Sequence, residues 1–183
     1  MTTQTVRVEG LSEDAFGQFG RAVGVFGAAS PDLNGLTWHC WYPIARVPSS
    51  RPMLLGIVET EPLVGPLTMM ERHAGRTELV LALDQPIIQA VARSTPDGQN
   101  PDAGTVRAFV VQPGEAVVLA PGTWHAAGMP MRNGTVRYMF GLPEPDPSDQ
   151  DSGWVPIAPG GVRIDTSGPW LLAQSRGEQR RTL

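Results

Sequence analysis

No lysine occurs in the 183 residues, and all 14 basic side chains are arginine. That absence removes Schiff-base chemistry, lysine general bases and the phosphate-binding loop whose signature requires a lysine. Cysteine is almost absent as well. A lone Cys40 excludes an intrachain disulfide framework and any zinc site built from several thiolates, and it fits a reducing compartment. With no charged neighbour in sequence to activate it, Cys40 reads as a small buried hydrophobe. Histidine is limited to His39, His73 and His125, so a metal site here must recruit carboxylates. Charged residues reach only 17%, against about 25% in ordinary domains. The net charge of −4 leaves no broad basic face to release counterions from nucleic acid. No apolar run approaches the ~20 residues that cross a bilayer, and the opening MTTQTVRVEG is polar. The expectation is a soluble, unexported, cytoplasmic protein without nucleic-acid or membrane partners.

What is abundant is turn material. Glycine (21) and proline (18) are together well above the ~12% of average usage, while 41% hydrophobic content still supplies a core. Length favours one domain, expected over residues 1–165 with a peripheral tail over 166–183. A helix is predicted over residues 13–23, capped by Ser12, with Ala15, Phe16, Phe19, Ala22 and Val23 at helical spacing. Short apolar runs follow at residues 36–45, 53–58, 67–73, 78–83, 86–92, 106–111, 116–119 and 136–142. They recur between Gly, Pro, Asp and Asn clusters, the pattern of an antiparallel sandwich or barrel. The stretch RSTPDGQNPDAGT reads as a mobile loop bordering a site, and PEPDPSDQDSG as a solvated excursion.

Side chains alternate along a strand, so Glu71 and His73 point one way and Arg72 the other. If residues 74–77 close a hairpin, Glu78 returns beside His73. His125 follows the Pro121-Gly122 turn and brings a second imidazole. His39, between Trp38, Cys40 and Trp41, reads as part of a packed or dimer-facing aromatic strand. Arg107 lies in an apolar run, where a guanidinium needs an anionic partner. That partner is either an internal carboxylate or a substrate carboxylate held in a bidentate fork.

Gly114, six residues, Pro121-Gly122, two residues and His125 resemble the second motif of the cupin superfamily. In the first motif, Glu71 stands where cupins carry their first histidine. The linked triple Met70-Glu71-Arg72-His73, Thr105-Val106-Arg107-Ala108-Phe109 and Trp124-His125 resembles the ureidoglycolate lyase family, across roughly residues 11–142. The segment NGLTWHCWYPIA carries aromatic residues where that family tends to be more polar. The resemblance implies a mainly β fold, a cupin-type double-stranded β-helix or jelly-roll barrel with a short N-terminal helix. It further implies a homodimer that cleaves ureidoglycolate to glyoxylate and urea in allantoin and purine breakdown, with a divalent metal such as nickel and no organic cofactor.

On this reading His73, Glu78 and His125 are metal ligands, with Glu71 as a fourth, since mixed imidazole and carboxylate ligation suits a borderline divalent ion. Whichever of Glu71 and Glu78 is unligated transfers protons, so the catalytic set is Glu71, His73, Glu78 and His125. Arg107, Arg72 and Trp124 are the candidate contacts to a small carboxylate-bearing substrate, with bracing of the turn as the alternative for Arg72. Two other readings share the barrel: a different metal-dependent small-molecule enzyme (an isomerase or oxygenase), and a ligand-binding protein without catalysis.

Overall fold

Strands buried on both faces read as continuous apolar runs, whereas strands covered on one face alternate. Both kinds occur here. Ile87–Ala92 is buried at every position, while Glu78–Ala82 alternates buried and half-buried. In a computed structural model describing residues 3–24 and 30–167, these strands belong to two packed sheets. One runs Gly20–Val23, Ala116–Leu119, Glu78–Ala82, Val136–Pro143, Met53–Thr60, antiparallel throughout. The other runs Trp124–His125, Ile87–Ala92, Arg107–Val111, Gln4–Gly10, Val162–Asp165, with Met129–Pro130 also paired to Ile87–Ala92. In that second sheet Gln4–Gly10 lies parallel to both neighbours.

The mainly β barrel expected from the sequence is therefore present. Between the sheets lies one core, including Phe16, Phe19, Val80, Val91, Phe109 and Val117. A second core, with Met70, Ile88, Ala90, Ala108, Trp124 and Ile157, covers the opposite face of the second sheet. Two cores explain why that sheet's central strands lack alternation.

Four expectations are corrected. The helix occupies only Glu13–Phe16, with the Ser12 Oγ cap accepting the Ala15 N–H at 3.2 Å. Gly20–Val23 is a strand because Gly20 adopts φ 147°, and any Cβ there would meet the Val118 carbonyl oxygen at 2.0 Å. Residues 74–77 do not close a hairpin. Met69–Met70 pairs with Val155–Pro156, and Glu78–Ala82 lies in the first sheet, so the segment crosses between layers. The aromatic strand at 36–45 is reduced to a small hairpin, Leu33–Asn34 with His39–Cys40, on which Trp38, His39 and Tyr42 are exposed. The loop before Val106 is stitched to the rest of the chain, with the Ala103 N–H donating to the Ala158 carbonyl at 2.8 Å. The expected tail, apart from Thr166 and Ser167, lies outside the described residues. Among the described residues no helix is long and apolar enough to cross a membrane.

Candidate metal centre

Glu71 and His125 form an isolated antiparallel bridge, each N–H donating to the other's carbonyl at 2.9 Å. Directly opposed residues of such a pair share a face. Glu71 Oε1 accordingly stands 3.9 Å from His125 Nε2. The turn before His125 is pinned from two sides: Thr123 Oγ1 donates to the Phe19 carbonyl at 2.9 Å, and the Gly122 N–H donates to the His73 carbonyl at 2.9 Å. Gly122 makes that turn at φ 81°, a conformation that favours glycine.

Glu78 reaches the same point from the facing sheet. Its Oε2 is 3.0 Å from His125 Nε2 and 3.5 Å from His73 Nε2, and the two imidazole centroids are 5.5 Å apart. Donor atoms of Glu71, His73 and His125 all lie within 4.8 Å of one another. The structure thus brings together all four residues that the spacing singled out.

His125 is buried, and burial works against its protonated form. The Glu78 contact and charge, the Thr123 carbonyl and the Glu71 charge outweigh that effect and raise its pKa above the ordinary imidazole value. The Thr123 carbonyl lies 3.1 Å from His125 Nδ1, so the neutral ring carries its proton on Nδ1 and turns its Nε2 lone pair to the cluster. His125 Nε2 and Glu78 Oε2 lie 3.0 Å apart, both buried, at ion-pair distance when the ring is protonated. An imidazole and a carboxylate so placed satisfy each other while a proton lies between them, and present facing donor atoms to a cation when it does not. Two imidazoles and two carboxylates around one space are a donor set that a borderline divalent cation fits.

The three candidate substrate contacts are placed elsewhere. Trp124 has 0% exposure, sits in the outer core and donates its Nε1–H to Ser94 Oγ at 2.9 Å, so its ring faces protein rather than a ligand. Arg72 stacks on that ring at 4.6 Å and donates to the same Ser94 Oγ at 3.2 Å, which makes it a brace. Arg107 has the internal partner: Nε donates to Glu9 Oε1 at 2.9 Å, Nη2 to Glu9 Oε2 at 2.5 Å and Nη1 to the Ala15 carbonyl at 2.6 Å. Its bidentate fork is filled from within the chain.

Sequence reasoning missed Asp151. The supposed solvated excursion folds back over the site, where Asp149 forms a two-pronged pair with Arg51 at 3.0 Å on each arm. Asp151 Oδ2 lies 3.0 Å from His73 Nδ1 and is also bonded by Arg76. Burial raises the Asp151 pKa, but the Arg76 and His73 hydrogen bonds and charges lower it by more, leaving it below the ordinary aspartate value. No local pattern marks this residue, since its partners lie more than seventy positions upstream.

A family model described as ureidoglycolate lyase matches residues 3–150. Among curated relatives, the ureidoglycolate lyase of Pseudomonas syringae pv. tomato is 30% identical over 128 residues, covering 67% of this chain and 74% of that protein. The ureidoglycolate lyase of Burkholderia cepacia is 30% identical over 129 residues, covering 67% and 71%. Among solved structures, the oxalate decarboxylase of Lactobacillus farciminis in its formate complex is 18% identical with a TM-score of 0.40, over 55% of this chain and 26% of that one.

Proposed function

This chain belongs to the ureidoglycolate lyase family, a cupin-type family, and from that premise we propose that it is a carbon-nitrogen lyase cleaving ureidoglycolate to glyoxylate and urea. The observation that carries this reading at the site is the convergence of two imidazoles and two carboxylates on one buried point, with Glu78 Oε2 3.0 Å from His125 Nε2 and 3.5 Å from His73 Nε2 and with Glu71 beside them. His73, Glu78 and His125 would hold a divalent ion such as nickel. When bound there, the ion supplies positive charge to the hydroxyl and carboxylate oxygens of the substrate.

Ureidoglycolate is a hemiaminal. Its hydroxyl O–H bond breaks, the carbon-oxygen bond becomes a carbonyl, the carbon-nitrogen bond breaks, and the departing nitrogen takes a proton to become urea. One group that first accepts and then returns a proton suffices for this sequence. We assign that group to Glu71, whose side chain is 29% exposed; the Glu78 side chain, at 10%, lies between both imidazoles. Arg76 and Arg107 are paired with carboxylates of the chain, and Arg72 stacks on Trp124 and donates to Ser94, so none of these three is assigned to the substrate carboxylate. The reading also includes cytoplasmic action and a homodimer, for which exposed Leu54, Leu55 and Ile57 on the edge strand Met53–Thr60 provide apolar surface.

The test is elemental analysis of the purified protein followed by a urea-release assay. We expect stoichiometric divalent metal and urea release that chelation abolishes and Ni²⁺ restores. Bound metal without urea release would point to another metal-dependent enzyme. Neither metal nor turnover would leave a ligand-binding protein.

A further inference from the structure

Asp151 lies one residue beyond the stretch matched by the family model, at the end of the acidic segment that folds back over the site. Its placement is built rather than incidental. Arg76 is only 7% exposed, and its guanidinium donates to the Pro143 carbonyl at 2.7 Å, pairs with Asp149 Oδ2 at 3.3 Å and bonds Asp151. The backbone beyond is fastened too: the Ser152 N–H donates to the Arg72 carbonyl at 3.1 Å, and the Arg72 N–H donates to Ser152 Oγ at 3.2 Å. Asp151 is thereby held with Oδ2 at His73 Nδ1.

An ionised carboxylate only accepts hydrogen bonds, so Nδ1 of His73 must be the donor. The Arg76 guanidinium also lies 3.4 Å from the same Nδ1 and could only donate to it, which would need the Nδ1 lone pair; the Asp151 contact, at 3.0 Å, is the shorter of the two and puts the proton on Nδ1. A neutral ring with its proton on Nδ1 has its lone pair on Nε2, the nitrogen that faces Glu78. His125 has the same arrangement through the Thr123 carbonyl. We propose that Asp151 is a positioning residue that fixes the Nδ1–H tautomer and ring orientation of His73, so that Nε2 is presented to the metal site. The inference rests on the reading of His73 as a ligand. Outer partners of this kind typically change metal affinity by ~10- to 100-fold.

The test separates orientation of His73 from mere anchoring of the segment. Long-range ¹H–¹⁵N NMR on the metal-free full chain at pH 8 should show His73 as the Nδ1–H tautomer. In Asp151→Ala that tautomer should give way to Nε2–H or a mixture, and Ni²⁺ affinity measured by calorimetry should fall ~10- to 100-fold. Asp149→Ala is the control: Asp149 anchors the same segment through Arg51 and Arg76 without touching His73. It should lower the melting temperature while leaving the tautomer and the Ni²⁺ affinity at wild-type levels.

Three outcomes would overturn the proposal: Nε2–H in the metal-free wild type, a measurement that needs no variant to fold; an unchanged tautomer in Asp151→Ala; or an equal affinity loss in Asp149→Ala. If the wild type binds no Ni²⁺, the metal-dependent function falls, and the tautomer measurements still decide for or against Asp151.

Discussion

His125 Nε2 and Glu78 Oε2 approach to 3.0 Å from opposite sheets of the barrel. His125 sits on the edge strand Trp124–His125, and Glu78 is the first residue of Glu78–Ala82. Sheets packed face to face stand about 10 Å apart, a gap that two inward side chains can close between them. Both atoms are buried, so the packing that stabilises the barrel also brings an imidazole and a carboxylate together at ion-pair distance.

Removing either group should therefore remove metal. His125→Ala, His73→Ala and Glu78→Gln are each expected to fold and to lose bound divalent ion, with affinity reduced by at least the ~10- to 100-fold typical of a mere outer partner. Elemental analysis of the folded variants checks this. Stoichiometric metal in any one of them removes that residue from the ligand set.

Arg107 should behave as a structural residue. Arg107→Lys keeps the charge and loses the planar fork to Glu9. Because Glu9 is 40% exposed and the pair is screened by solvent, we expect a cost of ~1 kcal/mol, or a melting temperature lower by ~2–4 °C. Glyoxylate binding should be unchanged. A variant with wild-type stability and weakened glyoxylate affinity would return Arg107 to the substrate.

The fastening of the acidic segment should show in acid. The Asp149 pKa is held below the ordinary aspartate value, first by its hydrogen bond to Arg51. A depressed folded-state pKa contributes stability that is fully present above the unfolded value near ~3.9 and is lost as pH falls through the folded value. Asp149→Asn should accordingly lose stability at neutral pH and show a shallower acid limb in unfolding measured from pH 6 to pH 2. An acid limb as steep as the wild type's would argue against the pair.

Gly20→Ala should be disruptive out of proportion to one methyl group. The residue adopts φ 147°, and its Cβ would meet the Val118 carbonyl. Phe19, its neighbour, accepts hydrogen bonds from Ala120 and Thr123 in the turn that carries His125. We expect a loss of about 2 kcal/mol or more, seen as a melting temperature lower by ~4 °C or more. Near-wild-type melting would mean that the strand can move aside.

Composition and spacing alone carried much of this. The lack of lysine and the lone Cys40 removed whole reaction classes, and turn residues between short apolar runs specified a mainly β barrel. The parity of Glu71 and His73, together with the turn before His125, marked side chains that the structure brings together, because strand alternation and tight turns are local properties of the backbone. The same local reasoning failed at residues 19–23, where Phe19, Ala22 and Val23 suit a helix face and a buried strand equally well. Only the close approach of Gly20 to Val118 decided between them. Arg107 needed an anion, but two candidate carboxylates satisfied that requirement until folding set Glu9 beside it. Asp151 had no local signature at all: its partners His73 and Arg76 are 78 and 75 positions away. Electrostatic partnership depends on distance through space, and chain spacing encodes that distance only within one strand, helix or turn. The side chains of the cluster were therefore legible in the sequence, while the neighbours that pack against them were decided by how the layers pack.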